Sequence, residues 1–216
     1  MHAILKGKRP SSPMPSASSS SVPPSPSSVI GMSLRASLLF LLLCGIVYPL
    51  VSTGAAQLLF PAQANGSLLK DSAGNVVGSS LIGQPFTDQR YFQGRVSSID
   101  YKAEASGSNN YAPSNPELLA RMKASIAQWQ QDNPEVPIAQ LPLALITNSG
   151  SGLDPDITPQ SAIVQIARIS KLTGLPKAEL EELVHAHTKG RELGLFGDKR
   201  VNVLELNLAL STRIAK

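Results

Sequence analysis

The stretch ASLLFLLLCGIVYPLVSTGAAQLL, residues 36–59, contains no charged side chain, and the next charge along the chain is Lys70. At about 1.5 Å of rise per residue, a helix over this range is ~36 Å long, which is enough to cross a bilayer with some tilt. Because a charge in the hydrocarbon costs a few kcal/mol, long charge-free apolar runs are typical of spanning segments. The sequence therefore predicts one transmembrane helix at residues 36–59.

Two other interpretations of this segment are a cleaved signal peptide and a buried core helix. Ala62-Gln63-Ala64 resembles the small-x-small site where signal peptides are cleaved, but the apolar part of a signal peptide normally has only about 7–15 residues. A buried core helix would have a polar face, which this segment lacks. The length favours a retained anchor over a cleaved signal, and the composition favours both over a core helix.

The flanking charges predict how the span is oriented. The charged residues before it are Lys6, Lys8, Arg9 and Arg35. No acid occurs before Asp71. Because basic residues beside a span stay on the cytoplasmic side, we expect a single-pass protein of the cell (inner) membrane with its N-terminus in the cytoplasm. Arg35 and Phe60 would then mark the two membrane boundaries, and the rest of the chain would be periplasmic or extracellular.

The basic character of the chain comes from the part before the span. Of 19 Lys and Arg residues, four lie at or before Arg35, whereas none of the 15 acids does. The two signs are therefore balanced after Arg35. Because a nucleic-acid-binding domain carries a basic patch or stripe, we expect no nucleic-acid partner.

Composition divides the chain into three parts. Residues 10–28 are almost entirely serine and proline, which cannot bury a core, so we predict that residues 1–31 are a disordered leader. An alternative is that translation starts at Met32, directly before the span. Residues 60–216 have the size of one domain. The only cysteine, Cys44, lies within the predicted span, so the domain is expected to be stable without a disulfide.

The patterning of residues 60–216 predicts a small sheet and several helices, and hence an α+β fold. The turn sequence DSAGN, residues 71–75, predicts a hairpin between residues 67–70 and 76–82. The apolar run LPLALIT, residues 141–147, predicts a buried strand, and residues 148–159 a loop.

Four helices are predicted from their start signals. A polar residue followed by proline begins the first two, at Asn115 and Thr158. Pro176 opens a third helix, and Asn202 caps the last. Gly174 is expected to end the second helix, because glycine is common at that position.

The chain lacks the motifs of several enzyme classes. It contains no GxxxxGK[ST] phosphate loop, no GxGxxG after a strand and no GxSxG elbow. His185 and His187 are two residues apart on a predicted helix and therefore do not share a face. Asp154 and Asp156 resemble the start of a calcium loop, but Gln165 stands where an EF-hand requires glutamate. We expect no catalytic site and no metal site.

Two polar loops form the candidate binding surface. They are SGSNNYAPSNP, residues 106–116, and TNSGSGLDPDITP, residues 147–159. Such loops are often mere connectors, but long ordered loops that run into helices bind partners more often. The candidate residues are Ser108, Asn109, Ser114, Asn115, Ser149, Ser151, Asp154 and Asp156.

A series of motifs in and around these loops resembles one protein family. The motifs are GSSLIGQ at 78–84, RYF at 90–92, SGSN at 106–109, APSNP at 112–116, SGSGLDP at 149–155, HTKGR at 187–191 and RVNVLELNLAL at 200–210. In this order after a single span, they resemble the C subunit of the Kdp high-affinity potassium-importing ATPase of bacteria and archaea. The resemblance covers about residues 32–210.

Two motifs depart from the pattern of that family. The family usually has Arg-Pro-Ser-Ala where this chain has RVSS at residues 95–98, and histidine where this chain has Asp156. Any role that a base would perform at position 156 is therefore not carried over.

The resemblance implies a non-catalytic subunit of a four-part potassium pump. The implied partners are a channel-like potassium-binding subunit, a P-type subunit that hydrolyses ATP, and a small membrane peptide. The family is described as a catalytic chaperone that promotes ATP binding and turnover. This description implies ATP as a ligand through the complex and no covalently bound cofactor. The chain itself lacks the aspartyl-phosphate signature of P-type pumps.

ATP is cytoplasmic, whereas the charge rule places the domain outside the cell membrane. We therefore expect the domain to act by docking on the channel-like subunit near the ion entrance, where its acids and loop carbonyls would also raise the local cation concentration. One alternative is a membrane-anchored extracytoplasmic binding module unrelated to transport. An anchored hydrolase is a weaker alternative, because no nucleophile and base are paired by motif.

Overall fold

The computed structural model describes residues 25–214. In it the chain forms two compact units that meet in sequence at Gly54 and Ala55. Most of the predicted leader lies outside the described residues.

The N-terminal unit contains most of one long helix, α1, which spans Pro26–Leu59. It is long and apolar enough to cross a membrane, and its apolar stretch is not buried. This confirms the predicted N-terminal apolar helix. The prediction of disorder is wrong for residues 26–31, because Pro26 occupies the first helical position, where its fixed φ favours the start of a helix.

A π-helical turn, Leu43–Val47, interrupts the α-helical pattern of α1. At its end the N–H of Tyr48 donates to the carbonyl oxygen of Leu43, five residues earlier. Pro49 follows directly and has no N–H, and in a regular α-helix its ring would crowd the carbonyl of Gly45. A single wide turn before a proline is a common way to accommodate this conflict within a helix.

The second unit contains the predicted hairpin near its N-terminal end. After a one-turn helix, α2 (Pro61–Ala64), strand β1 (Leu68–Lys70) pairs antiparallel with β2 (Val76–Ser79). Asp71 holds the turn, since its Oδ1 accepts hydrogen bonds from the backbone N–H groups of Ala73 at 2.9 Å and Asn75 at 2.8 Å.

A second sheet has three very short antiparallel strands in the order β3, β5, β4. They are β3 (Asp156–Ile157), β4 (Thr188–Lys189) and β5 (Arg200–Asn202). Residues 148–159 were predicted as loop throughout, and β3 corrects this. A two-residue strand is too short to show the alternation of apolar and polar residues from which strands are predicted. Strand β3 is defined by its pairing with β5.

Five further helices complete the domain. They are α3 (Pro116–Asp132), α4 (Pro159–Ile163), α5 (Ile166–Thr173), α6 (Lys177–Ala186) and α7 (Val203–Ile214). The predicted caps are confirmed: Asn115, Thr158 and Asn202 each accept a hydrogen bond from a backbone N–H of the first helical turn. Gly174 adopts the left-handed conformation, with a φ of 77°, after α5.

The predicted strand at residues 141–147 is wrong. This segment and the residues before it form two 3₁₀ turns, Ile138–Gln140 and Leu143–Leu145. Pro142 lies between the turns and cannot donate to a strand ladder. Only part of the apolar run is buried, since Leu145 is 8% exposed and Leu143 is 68% exposed.

The core lies where α4–α7 pack against β5 and the segment around Phe92. Its fully or nearly fully buried residues include Phe92, Trp129, Ile157, Ile166, Ile169, Leu180, Val184, Val201, Leu206 and Leu210. Helix α3 is more peripheral, because Trp129 is its only buried residue. The mixed helix and small-sheet architecture confirms the predicted α+β fold.

Candidate functional site

Buried amide side chains hold the RYF segment in place. The Oε1 of Gln165 accepts from the N–H of Gln93 at 2.8 Å, and its Nε2 donates to the same residue's carbonyl oxygen at 3.0 Å. Asn207 makes the equivalent pair with Phe92, at 2.9 and 2.8 Å. These two side chains thus bond the backbone of residues 92–93 as a neighbouring strand would.

Arg168 completes this arrangement. Its guanidinium donates to the carbonyl oxygens of Gln89 and Tyr91, to Oδ1 of Asn133 at 3.0 Å and to Oε1 of Gln165 at 2.7 Å. Burial lowers the pKa of Arg168 to about 10, so the group remains charged at neutral pH. We name Gln165, Arg168 and Asn207 the polar clamp.

The two candidate loops meet at Asn148. Its Nδ2 donates to Oγ of Ser108 at 2.7 Å. Its Oδ1 accepts from the guanidinium of Arg121, and its carbonyl oxygen accepts from Nη2 of Arg95 at 3.2 Å. We name the loops joined in this way the loop cluster, which comprises residues 95–97, 106–108 and 148–154.

Backbone bonds tie the loop cluster together further. The carbonyl oxygen of Ser151 accepts from the N–H of Gly107 at 2.9 Å. Oγ of Ser97 donates to the carbonyl oxygen of Gly152 at 2.7 Å, and the buried Ser149 donates its N–H to the carbonyl oxygen of Val96 at 3.1 Å. The candidate loops are therefore hydrogen-bonded to each other and to residues 96–97.

Gly152 is required by this close approach. It has a φ of +70°, and a Cβ at this position would lie 2.6 Å from Cγ1 of Ile99 and 2.9 Å from the carbonyl oxygen of Gly107. Gly83, in the GSSLIGQ motif, is similarly confined, since a Cβ there would lie 2.5 Å from the carbonyl oxygen of Asp154. Both glycines allow backbone segments to pack more closely than a side chain permits.

The two predicted acids line a cleft of about 400 Å³ beside the loop cluster. Oδ2 of Asp154 is 2.9 Å from Nη1 of Arg95, and Oδ2 of Asp156 is 3.4 Å from Nε of Arg200. The Oδ1 of Asp154 also accepts from the N–H of Asp156 at 3.0 Å. Each carboxylate in the cleft therefore has a guanidinium partner.

Burial raises the pKa of Asp156, the negative charge of Asp154 raises it further, and Arg200 opposes both effects. The charged residues that line the cleft are Arg95, Asp154, Asp156, Asp198, Lys199 and Arg200. Positive and negative charges are thus equal in number. This balance gives no support to the expectation that the cleft concentrates cations.

Four of the predicted site residues lie outside the bonded cluster: Asp156, which lines the cleft beside it, and Asn109, Ser114 and Asn115. Asn115 caps α3, and Ser114 is exposed beside it. Asn109 donates to the hydroxyl of Tyr111 at 2.8 Å. The centre of the Tyr111 ring lies 5.4 Å from the guanidinium carbon of Arg121. Asn109 and Tyr111 therefore border the cluster through Arg121.

The remaining predicted residues have simple positions. Arg35 lies within α1, and Phe60 directly follows its last residue. His185 is exposed, whereas Nδ1 of His187 is 2.9 Å from the carbonyl oxygen of Leu183. Within residues 25–214, no three His, Cys, Asp or Glu side chains are grouped as a metal site would require.

The residues that organise the site were not predicted from the sequence. Arg121 and Asn148 join the loops, and the polar clamp positions residues 89–93. One signal was present, because Gln165 and Arg168 are polar residues among the inward-facing apolar positions of a predicted helix. No comparable pattern marks Asn148, whose contacts are distant in sequence.

Known proteins match almost the whole described chain. The family model of KdpC, described as "K+-transporting ATPase, c chain", matches residues 30–212. A protein of Bacillus cereus strain B4264 named "Potassium-transporting ATPase KdpC subunit" is 60% identical over 183 residues, which are 85% of this chain and 95% of that protein. Proteins with the same name from Bacillus anthracis and Bacillus thuringiensis subsp. konkukian are 58% and 59% identical, over 85% and 82% of this chain and 95% and 92% of their own lengths.

These matches confirm the resemblance that the ordered motifs indicated, and they favour a pump subunit over an unrelated binding module or a hydrolase. They extend from α1 through the loop cluster and the polar clamp to α7. The chain belongs to the KdpC family, the C subunits of potassium-transporting ATPases.

Proposed function

We propose that this chain is a non-catalytic pump subunit whose domain lies outside the cytoplasm and docks on the channel-like potassium-binding subunit near the ion entrance. The observation that carries the proposal is the charge pattern around α1. The charged residues before its charge-free stretch are Lys6, Lys8, Arg9 and Arg35, all of them basic, and the domain follows the helix. The positive-inside rule then gives a cytoplasmic N-terminus.

Through this docking, we propose, the domain promotes ATP binding and turnover by the hydrolysing subunit on the opposite side of the membrane. Such an effect requires the domain to bind one conformation of the pump more tightly than another. A tenfold change in ATP affinity would require a difference of about 1.4 kcal/mol between the two states. A few docking contacts that exist in only one state are sufficient for this.

The loop cluster is the docking surface that we favour. Its segments are already hydrogen-bonded to one another, so little conformational entropy would be lost on binding. Serine, asparagine and exposed backbone groups offer donors and acceptors to a partner surface. The neighbouring cleft has equal numbers of positive and negative charges, so its net charge does not oppose contact with a partner protein.

A bulky charge in the loop that leads from the cluster into α3 tests the docking. Ser114→Arg places an arginine at an exposed position, and Ser72→Arg does the same in the β1–β2 turn. We expect the Ser114→Arg chain to copurify with less of the other pump subunits and the Ser72→Arg chain to copurify normally. Normal copurification and normal ATPase activity with both variants would exclude this surface.

Neutralising the acidic pair tests whether the charge of the cleft affects the potassium dependence of the pump, an expectation that the balanced charges do not support. Asp154→Asn with Asp156→Asn leaves Arg95 and Arg200 without these carboxylates and makes the cleft positive. Because a positive cleft repels cations, we expect the potassium concentration for half-maximal ATPase activity to rise by roughly threefold or more at low ionic strength. The control is Glu104→Gln with Glu181→Gln, which removes two exposed acids elsewhere. An unchanged potassium dependence would remove this role.

A further inference from the structure

The hairpin between β4 and β5 presents three large apolar side chains to solvent. Leu193, Leu195 and Phe196 are 88%, 76% and 65% exposed. Leu193 and Leu195 are more exposed than any other large apolar residue of the described chain after α1. We name these three residues the apolar tip.

The apolar tip has a defined backbone structure. Glu192 and Phe196 exchange two backbone hydrogen bonds, at 2.9 and 3.0 Å, and form an antiparallel bridge. Leu193 has a φ of +52°, a conformation that is uncommon for a branched side chain. The hairpin thus holds apolar residues in water, in a strained turn, where the domain core does not cover them. Exposed apolar groups held in this way mark an interaction site.

Basic residues surround the base of the apolar tip. Between residues 189 and 200 the charged side chains are Lys189, Arg191, Glu192, Asp198, Lys199 and Arg200. Arg191 lies 3.6 Å from Asp198, and Arg200 contacts Glu192. Lys199 has no ion pair among residues 25–214. Lys189 also pairs with Glu205 at 2.8 Å, and Arg200 with Asp156 at 3.4 Å. Among residues 25–214, Lys199 is therefore the cation of the hairpin that is left free to meet an anion outside the domain.

An apolar end beside a free lysine matches the interface of a phospholipid bilayer, where acyl chains accept apolar groups and anionic headgroups attract Lys and Arg. The chain carries its own anchor, and only residues 60–67 separate α1 from β1. The domain is therefore confined near a membrane surface, where even a weak lipid contact has a high effective concentration. Insertion of the apolar tip into a bilayer also requires no partner surface with a complementary groove.

We propose that the apolar tip inserts into the headgroup region of the bilayer in which the chain is anchored, with a preference for anionic phospholipid. This contact would hold the domain in one orientation against the membrane. The lipid contact does not depend on which side of the membrane the domain occupies. It can therefore be confirmed or excluded independently of the proposed docking on the channel-like subunit.

The test places a fluorophore at the apolar tip. Phe196→Cys is combined with Cys44→Ser, so that the chain has one cysteine, and is labelled with an environment-sensitive dye. The labelled full chain is assembled with the other pump subunits and reconstituted into vesicles of phosphatidylcholine and phosphatidylglycerol. Brominated acyl chains then report contact with lipid, and iodide reports contact with water. Leu172→Cys, at a half-exposed leucine of α5, is the matched control.

We expect brominated lipid to quench the label at position 196 at least about twofold more than the label at position 172, and iodide to quench it less. Vesicles of phosphatidylcholine alone should give weaker quenching by lipid; equal quenching would overturn the preference for anionic lipid. Protection from iodide without quenching by lipid would mean that a protein subunit covers the apolar tip. Free quenching by iodide would mean that nothing covers it. Either of these last two results would overturn the proposal.

Discussion

Arg168 is a buried cation. Its burial is tolerated because each of the three guanidinium nitrogens donates a hydrogen bond to an oxygen atom. Only 7% of the residue is exposed. The carbonyl oxygens and amides that it contacts would lose a charged donor if it were replaced. Hydrogen bonds to charged groups contribute more than neutral ones, and a buried group left without a partner is costly. The residue therefore stabilises the fold despite the cost of burying its charge.

We predict that Arg168→Met lowers the free energy of unfolding by about 2–4 kcal/mol, because the oxygens of Gln165 and Asn133 and two backbone carbonyls lose their donor. Denaturant unfolding of the full chain in detergent measures this loss. Lys171→Met is the matched control on the same helix, since the Lys171 side chain is 71% exposed and should change stability by less than about 0.5 kcal/mol. Equal effects of the two variants would contradict the role of the polar clamp.

Asp156 predicts a pH dependence of stability. Because its pKa is raised in the folded state above the ordinary value of 3.8, folding favours its protonated form. Its favourable contribution is complete below pH ~3.8 and is lost as the pH rises through the folded pKa. Asp156→Asn should therefore gain stability relative to the wild type between pH 3 and pH 7, by less than about 1 kcal/mol because the group is partly exposed. A relative loss over this range would show that the ion pair with Arg200 outweighs burial.

At the level of single residues, the sequence predicted local bonds better than distant ones. The helix caps Asn115, Thr158 and Asn202 were predictable because a cap bonds only the next few residues. Asn148 was not, because its partners Ser108 and Arg121 lie 40 and 27 residues away. The polar clamp has the same character, since Asn207 bonds a residue 115 positions earlier.

Among the elements, success depended on whether a segment defines its own structure. The β1–β2 hairpin has a turn that bonds itself through Asp71, and it was predicted. Strand β3 exists through its pairing with β5 and was missed. The run at residues 141–147 is apolar enough for a strand, but Pro142 interrupts any ladder, and the segment forms a 3₁₀ turn instead.

The stability of the loop cluster should depend strongly on Gly152 and only weakly on Gly150. Gly152→Ala forces a left-handed residue to carry a Cβ that clashes with Ile99 and the backbone of Gly107. We expect a loss of at least about 2 kcal/mol in thermal or denaturant unfolding. Gly150→Ala has open space around it and should cost less than about 0.5 kcal/mol. If both variants unfold alike, the loops are less closely packed than described.

For the whole molecule, one apolar helix followed by an α+β domain is the arrangement on which the proposed function depends. Membership of the KdpC family makes the chain a subunit of a potassium-transporting ATPase. The sequence predicted the N-terminal apolar helix, the domain class and the family. It did not predict which loop residues meet, because that arrangement forms only when the whole domain packs.

The location of the domain is the most direct test of this account. Ser72→Cys and Ser27→Cys, each with Cys44→Ser, place one cysteine after and one before the apolar core of α1. A charged maleimide that cannot cross the inner membrane is added to intact cells and to disrupted cells. We predict that the Ser72→Cys chain is labelled in intact cells and that the Ser27→Cys chain is labelled only after disruption. Labelling in the opposite order would place the domain in the cytoplasm and contradict docking at the ion entrance.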